Sequence, residues 1–410
     1  MRWALVCVAL CLAGCGTLPR HAVPVELMAE AIIPGMPDVR APAGQRSAAM
    51  TSDLARSFEQ ESPEAFPIGP DGYVHYAHLA LSGGGANGAF GAGFLNGWSK
   101  TGERPVFKIV TGVSTGALMA PFAFVGPAYD DALREFYTTT ATRNILRPLS
   151  LLPQLLGGES LADSAPLKAL IEKHVDAQLL RQVGLAHQAG RRLYFGTADL
   201  DSQNLVIWNM GMIAASGAPN SLELFRKIML ASASIPVAFP PVLFEVEAGG
   251  RRYDEMHVDG AVGANVFYSG GVFSFSDARA HVGRGVGREE IFVIHNGQLS
   301  PVPRVTPRSV RAIAARSFES ASKAAFVGDL FRIYSVAVRE RAGFKWITMP
   351  NGVELKRTEL FDPVLMQALY DLGYRSALAG QVWVTEPPGL RPRRARRTRD
   401  AEAPPMDPVR

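Results

Sequence analysis

The chain has 410 residues, 47% hydrophobic and 20% charged, with a mean hydropathy of +0.07, which suits a globular protein with a sizeable core and excludes a fibrous or wholly disordered one. Its net charge of +4 has a local cause, because seven arginines against three acids between Arg391 and Arg410 carry the same excess; the rest is balanced and offers no basic face for nucleic acid. All three cysteines, Cys7, Cys11 and Cys15, lie within the first fifteen residues, so disulfides do not staple the fold.

In chain order, Arg2, the apolar run Trp3 to Leu12 and Leu12-Ala-Gly-Cys15 look like a bacterial lipoprotein signal, with cleavage before Cys15 and lipid attached to that thiol. The run is too short to remain as a membrane-spanning helix. Similarity to lipoproteins with Gly16 after the cysteine implies export and anchoring to a bacterial membrane, in particular an outer membrane. Residues 1–14 are therefore expected as signal peptide. Residues 15–74, rich in Pro, Ala and small polar side chains, are expected as a lipid-anchored tether. Within it, Met50, Leu54 and Phe58 share one face of a short helix over Ala48 to Glu61.

A domain over residues 75–385 follows, with a motif core at 76–266 and helical cover at 267–385. Leu79, Ala80 and Leu81 read as a strand buried on both faces, and Gly83, Gly84 and Gly85 turn the chain into a helix from Ala86. Ala89, Gly93 and Gly97 give that helix a small-residue face suited to close approach to a sheet. Unpaired N–H groups within the stretch Gly83, Gly84, Gly85, Ala86, Asn87, Gly88 would hold an anion. Gly83-x-Gly85-x-x-Gly88 also matches a dinucleotide fingerprint, but the next strand, Val106 to Val110, does not end in the acid that reading requires. That strand leads instead into Gly112-Val-Ser114-Thr-Gly116 and a helix-compatible run, the pattern of a nucleophile elbow.

Beyond the elbow, Ile145 to Leu156 is a leucine-heavy patch broken by prolines, expected to pack in the core or to guide an acyl chain. Asp163 to Pro166 starts a helix through His174, Arg192 to Leu200 and Asn204 to Met210 read as strands, and Leu222 to Ala231 reads as a helix. Val258-Asp259-Gly260-Ala261 puts an acid at the end of an apolar segment. Ser269 to Gly287 looks like loop, Glu290 to Gly297 like a buried strand ending at His295, and Ser309 to Arg341 and Pro363 to Ala379 like covering helices. The Arg-rich end, 386–410, is expected to be disordered. The sequence has no HExxH, cysteine–histidine cluster or Gly-Lys-Ser/Thr loop, and implies neither metal nor cofactor.

The three motifs, in this order, resemble the patatin-like phospholipases, and Ser232 to Pro241 is similar to the proline-ended segment before the aspartate in that family. The resemblance implies an α/β fold, a three-layer α/β/α sandwich around a mainly parallel sheet. It also implies a lipid ester hydrolase with a Ser-Asp dyad: Ser114 as nucleophile in an elbow bounded by Gly112 and Gly116, Asp259 of Asp259-Gly260-Ala261 as base, and the Gly84 to Ala86 backbone as oxyanion hole. Asn87 departs from the Arg or Lys common in the family at that position. Burial is expected to make Asp259 more basic than a free aspartate. Two alternatives stay open at this point: an α/β-hydrolase triad of Ser114, Asp259 and His295, and a lipoprotein that uses the fold as a binding module. The partners implied are a lipid ester and, through lipidated Cys15, a membrane surface; the oligomeric state is unspecified.

Overall fold

Short apolar runs separated by glycine turns become the strands of one mixed sheet in a computed structural model, which describes residues 18–150, 158–283, 287–301, 303–353, 358–380 and 382–390. Its nine strands among these residues are β1 (Arg40–Pro42), β2 (His75–Leu81), β3 (Phe107–Val113), β4 (Arg192–Asp199), β5 (Asn204–Asn209), β6 (Val242–Ala248), β7 (Arg251–Asp259), β8 (Arg288–His295) and β9 (Gly343–Thr348). The order is β1-β5-β4-β3-β2-β8-β9, with β7 also on β4 and β6 on β7. The five strands from β4 to β9 along this path run parallel, and β1, β5, β6 and β7 add antiparallel pairings. Parallel strands are covered on both faces, which is why β3 is buried at every position despite carrying Lys108.

Alternation along the strands divides the core into two layers. Leu79, Leu81 and Val110 join one apolar cluster, covered by α2 (Gly88–Thr101), α3 (Thr115–Val125), α4 (Ser221–Ser232) and α6 (Pro363–Leu378). Ala80, Ile109 and Val113 join the other, beneath α1 (Ala48–Glu59), the short helix Phe275–His281 and α5 (Val310–Glu340). The architecture is the expected α/β/α sandwich. The small face of α2 meets a helix, however, and not the sheet: a Cβ on Gly93 would lie 1.9 Å from the Tyr370 carbonyl oxygen, and one on Gly97 2.5 Å from that of Tyr374, both in α6. Backbones this close leave no room for side chains.

Residues 18–72 depart from the expected tether. Isolated apolar residues, Val23, Ile33, Met36 and Val39, each fill a core site; β1 completes the edge of β5, and Arg20 bridges Asp201 and Asp254. Low apolar density in sequence hid a strap that docks through a few scattered large side chains, while others such as Val25 and Ile68 stay exposed. Helix α1, inside the expected 48–61, buries Met50, Leu54 and Phe58, capped by Ser47. It is also pinned by buried charges: Asp53 meets Arg192 at 2.6 Å, and Glu61 meets Lys108. Removing one partner of such a pair costs about 3–5 kcal/mol because the other charge stays buried. The expected loop 269–287 contains the helix Phe275–His281, started by the Ser274 hydroxyl accepting from Asp277 N. The segment before Asp259 is a hairpin, β6–β7, turned at Gly249 and Gly250 with φ +53° and +74°. Cys15 with the signal segment 1–14, Leu151 to Gly157 of the leucine-heavy patch and 391–410 of the basic end lie outside the described residues.

Candidate active site

Register brings the motifs together. Val113 at the end of β3 is level with Gly196 of β4, and the next β4 residue, Thr197, pairs with Asp259 at the end of β7. The residue after Val113 therefore emerges beside Asp259. It is Ser114, whose hydroxyl donates to Asp259 Oδ2 at 2.6 Å. The other carboxylate oxygen, Oδ1, accepts from Ala261 N at 2.8 Å. Both residues are nearly covered, Ser114 at 5% exposure and Asp259 at 3%. Burial raises the Asp259 carboxyl to about 7, only partly offset by the bonds from Ser114 and Ala261. A carboxylate so placed can take a proton from a hydroxyl near neutral pH, which an ordinary aspartate does poorly.

Ser114 has φ +54° and ψ −126°, a conformation that costs a non-glycine residue about 1–3 kcal/mol and persists only where its surroundings over-determine it. Those surroundings are close backbone. A Cβ on Gly116 would lie 2.3 Å from the Leu81 carbonyl oxygen, and one on Gly112 2.5 Å from that of Gly116. The Ser114 N–H donates to Ser232 Oγ at 3.0 Å, and that hydroxyl donates to Gly196 O at 2.7 Å. Ser232, the last residue of α4, thereby ties the elbow to β4.

Of the six residues expected around the anion site, three have their N–H groups already paired, two within the loop and one to a neighbouring segment. Gly83 N donates to Asn265 O at 2.9 Å, Asn87 N to Gly84 O at 3.2 Å, and Gly88 N to the carbonyls of Ala86 and Gly85. Among the described residues no bond takes the N–H groups of Gly84, Gly85 and Ala86. Gly84 is exposed at the surface while Ser114 lies just beneath: a Cβ on Gly83 would sit 3.3 Å from the Ser114 Cβ. A side chain at Gly84 would come within 2.1 Å of Asn296 O, so only glycine lets the loop pass. Asn296, just past β8, fixes the loop's entry by donating from its backbone N to Ser82 Oγ and from Nδ2 to Ser82 O.

An apolar cavity of about 30 Å³ opens at Ser114 and is lined by Leu118, Phe136, Ile145, Leu167, Phe239 and Met366, among others. Among the described residues of the leucine-heavy patch, Ile145 lines it. A larger cavity, about 1210 Å³, lies where β2, β8 and β9 begin, at the opposite end of the parallel strands from Ser114, and has charged walls that include Arg279, Glu289 and Lys345. The smaller one adjoins the reactive groups and has the apolar walls an acyl chain needs.

His295 stands apart from Ser114 and Asp259. Its Nδ1 meets Thr348 Oγ1 at 3.0 Å, its ring stacks on Phe326 at 3.6 Å between centroids, and burial lowers its pKa to about 3. A triad needs an imidazole between hydroxyl and carboxylate; here those two groups bond directly, so the triad reading is corrected. Asp199, Glu255 and His257 converge as potential metal ligands, yet Arg40 already forks onto Glu255, Ser202 holds Asp199, and His257 Nδ1 faces Thr197 Oγ1. Sequence reasoning did not single out Ser232, Asn265 or Asn296 as supports of the site, because small polar residues near turns carry no distinguishing pattern.

Residues 79–269 match the family model of the patatin-like phospholipases. No match to the chain was found among curated proteins. Among solved structures it is similar to VipD from Legionella pneumophila, at 12% identity over 78% of this chain and 70% of that one, with a TM-score of 0.30. It is also similar to the type III effector protein ExoU, at 14% identity over 74% of this chain and 52% of that one, with a TM-score of 0.31. The chain thus spans about half the length of ExoU.

Proposed function

Because the chain carries a patatin-like phospholipase domain at residues 79–269, we propose that it is a serine acyl hydrolase that cleaves carboxylic esters of lipids through Ser114 and Asp259. The observation that carries this reading is the direct 2.6 Å bond between the Ser114 hydroxyl and a buried carboxylate of raised pKa, next to three unpaired amides. As the Ser114 oxygen attacks the ester carbonyl, Asp259 takes its proton. The carbonyl oxygen becomes an oxyanion held by the N–H groups of Gly84, Gly85 and Ala86, with the positive end of α2 behind them. Collapse expels the alcohol, which leaves with the proton from Asp259. Water then loses a proton to the same carboxylate, attacks the acyl-enzyme, and releases the fatty acid as Ser114 regains its hydrogen. The apolar side chains that line the narrow cavity beside Ser114 support an acyl chain as the group that is bound.

A fluorophosphonate probe tests the nucleophile. Labelling that disappears in Ser114→Ala, together with hydrolysis by the wild type in a panel of phospholipids and simpler acyl esters, is expected. Labelling that persists in Ser114→Ala would overturn the assignment.

We also propose that the protein is exported and lipid-anchored through Cys15 to a bacterial membrane, the outer one where present. The support is the run Trp3 to Leu12 followed by Leu12-Ala-Gly-Cys15. No helix among the described residues is long and apolar enough to cross a membrane. Cys15→Ser should move the protein from the membrane to the soluble fraction; unchanged membrane association would refute the anchor.

A further inference from the structure

Helix α5 reaches the glycine loop through a short chain of hydrogen bonds. Asp329, on α5 and only 1% exposed, accepts from Asn265 N at 2.7 Å and from Val266 N at 3.3 Å, both through Oδ2. Its other oxygen meets Arg332, one turn along the same helix. Asn265 is further held by Ser322 of α5, whose hydroxyl donates to Asn265 Oδ1 at 2.8 Å while Asn265 Nδ2 donates to the Ser322 carbonyl at 3.1 Å. With its side chain and N–H held by α5, Asn265 offers its carbonyl to Gly83 N at 2.9 Å. That amide immediately precedes the three unpaired amides at Gly84, Gly85 and Ala86. Asn265 also ends the segment that begins at Asp259, so the same anchor limits movement of both halves of the site.

Docking of α5 does not by itself call for a carboxylate here. Phe326, Leu330, Ile333 and Ala337 already bury the helix against the sheet. A buried carboxylate is expensive to desolvate and is retained where it satisfies donors that nothing else reaches. The donors in this case are two successive loop amides outside any strand.

We infer that Asp329 is a positioning residue for the esterase reaction: it holds Asn265, and through the Asn265 carbonyl it sets the glycine-loop amides at the height where the oxyanion forms. The inference rests on the dyad reading above for its catalytic consequence, and on the hydrogen-bond chain alone for its structural one. A contact of this kind acts on the transition state more than on ground-state binding, because misplaced amides still admit the substrate but fail to meet the developing charge.

The test compares Asp329→Ala, Asp329→Asn and Ser322→Ala in the full chain by steady-state kinetics on a soluble short-chain ester, with amide hydrogen exchange as a second readout. Asp329→Ala should lower kcat tenfold or more with KM within about threefold of wild type, and should speed exchange across 83–88 while leaving β3 protected. Asp329→Asn keeps an oxygen that accepts from both amides, so it should restore kcat to within about threefold. Ser322→Ala, which removes only the hydroxyl bond to Asn265 Oδ1 and keeps the carbonyl that accepts from Asn265 Nδ2, should fall between the two. The inference is overturned by wild-type kcat and wild-type exchange in Asp329→Ala, by a change confined to KM, or by faster exchange spread evenly over the domain. If the wild type hydrolyses no ester, the proposed function fails, and the exchange pattern still decides whether α5 sets the glycine loop.

Discussion

Replacing Asp259 with Asn should remove activity and, at alkaline pH, strengthen the fold. Burial raises this carboxyl from its ordinary 3.8 to about 7. Between those values the folded state holds a proton that the unfolded state has lost, so the stability this group contributes is full below pH 3.8 and lost as pH rises through 7. At about 1.4 kcal/mol per pKa unit the whole effect is roughly 4 kcal/mol, more than half of which disappears between pH 5 and pH 8. Asparagine does not ionise. Its carbonyl oxygen can accept from Ala261 N as Asp259 Oδ1 does, and its Nδ2 can donate to the Ser114 oxygen in place of the bond that the hydroxyl now donates. Urea unfolding of both proteins at pH 5 and pH 8 isolates the term, because the other titrating groups are common to both. The advantage of Asp259→Asn over wild type should grow by roughly 2–3 kcal/mol from pH 5 to pH 8, while turnover at pH 8 falls by about 10²–10⁴-fold for loss of a general base. Parallel pH dependence in the two proteins would refute the desolvated carboxylate, and substantial turnover by the variant would refute its role as base.

Three further outcomes follow from the same geometry. Because the base must be ionised, kcat/KM on a neutral ester should rise about tenfold per pH unit up to about 7 and level off above it; a profile flat from pH 5 to 8 would contradict this. His295→Asn should keep activity within about threefold, since the imidazole touches Thr348 and Phe326 and not the dyad, and a loss of a hundredfold or more in a folded variant would reinstate the triad. Leu118→Trp should fill the cavity beside Ser114, lowering hydrolysis of long-chain esters tenfold or more while leaving acetate esters within about threefold; equal losses on both would show that the cavity does not receive the chain.

Local chemistry in the chain was enough to mark the parts of the site. A glycine run after a buried strand, a serine between two glycines at a strand-to-helix turn, and an aspartate before Gly-Ala each require a backbone arrangement that few other residues permit, so Gly83 to Gly88, Ser114 and Asp259 are legible as candidates. Strands and helices with strong periodicity, such as β4, β5 and α4, are legible for the same reason. What sequence patterns do not contain is register. Only the pairing of Val113 with Gly196 and of Thr197 with Asp259 puts hydroxyl and carboxylate 2.6 Å apart, and only the path of the loop through Asn265 and Asn296 leaves the Gly84, Gly85 and Ala86 amides free while Gly83, Asn87 and Gly88 are spent. The strap at 18–72 shows the same limit from the other side. Outside the short helix that carries Met50, Leu54 and Phe58, its sparse apolar residues have no period to read, and they become structure because the sheet edge at β5 and the buried charges of Lys108 and Arg192 need partners that lie far away in the chain. Periodicity and turn chemistry act over a few residues and can be read along the chain, whereas burial of a carboxylate, and with it the proton affinity of Asp259, is a property of everything folded around it.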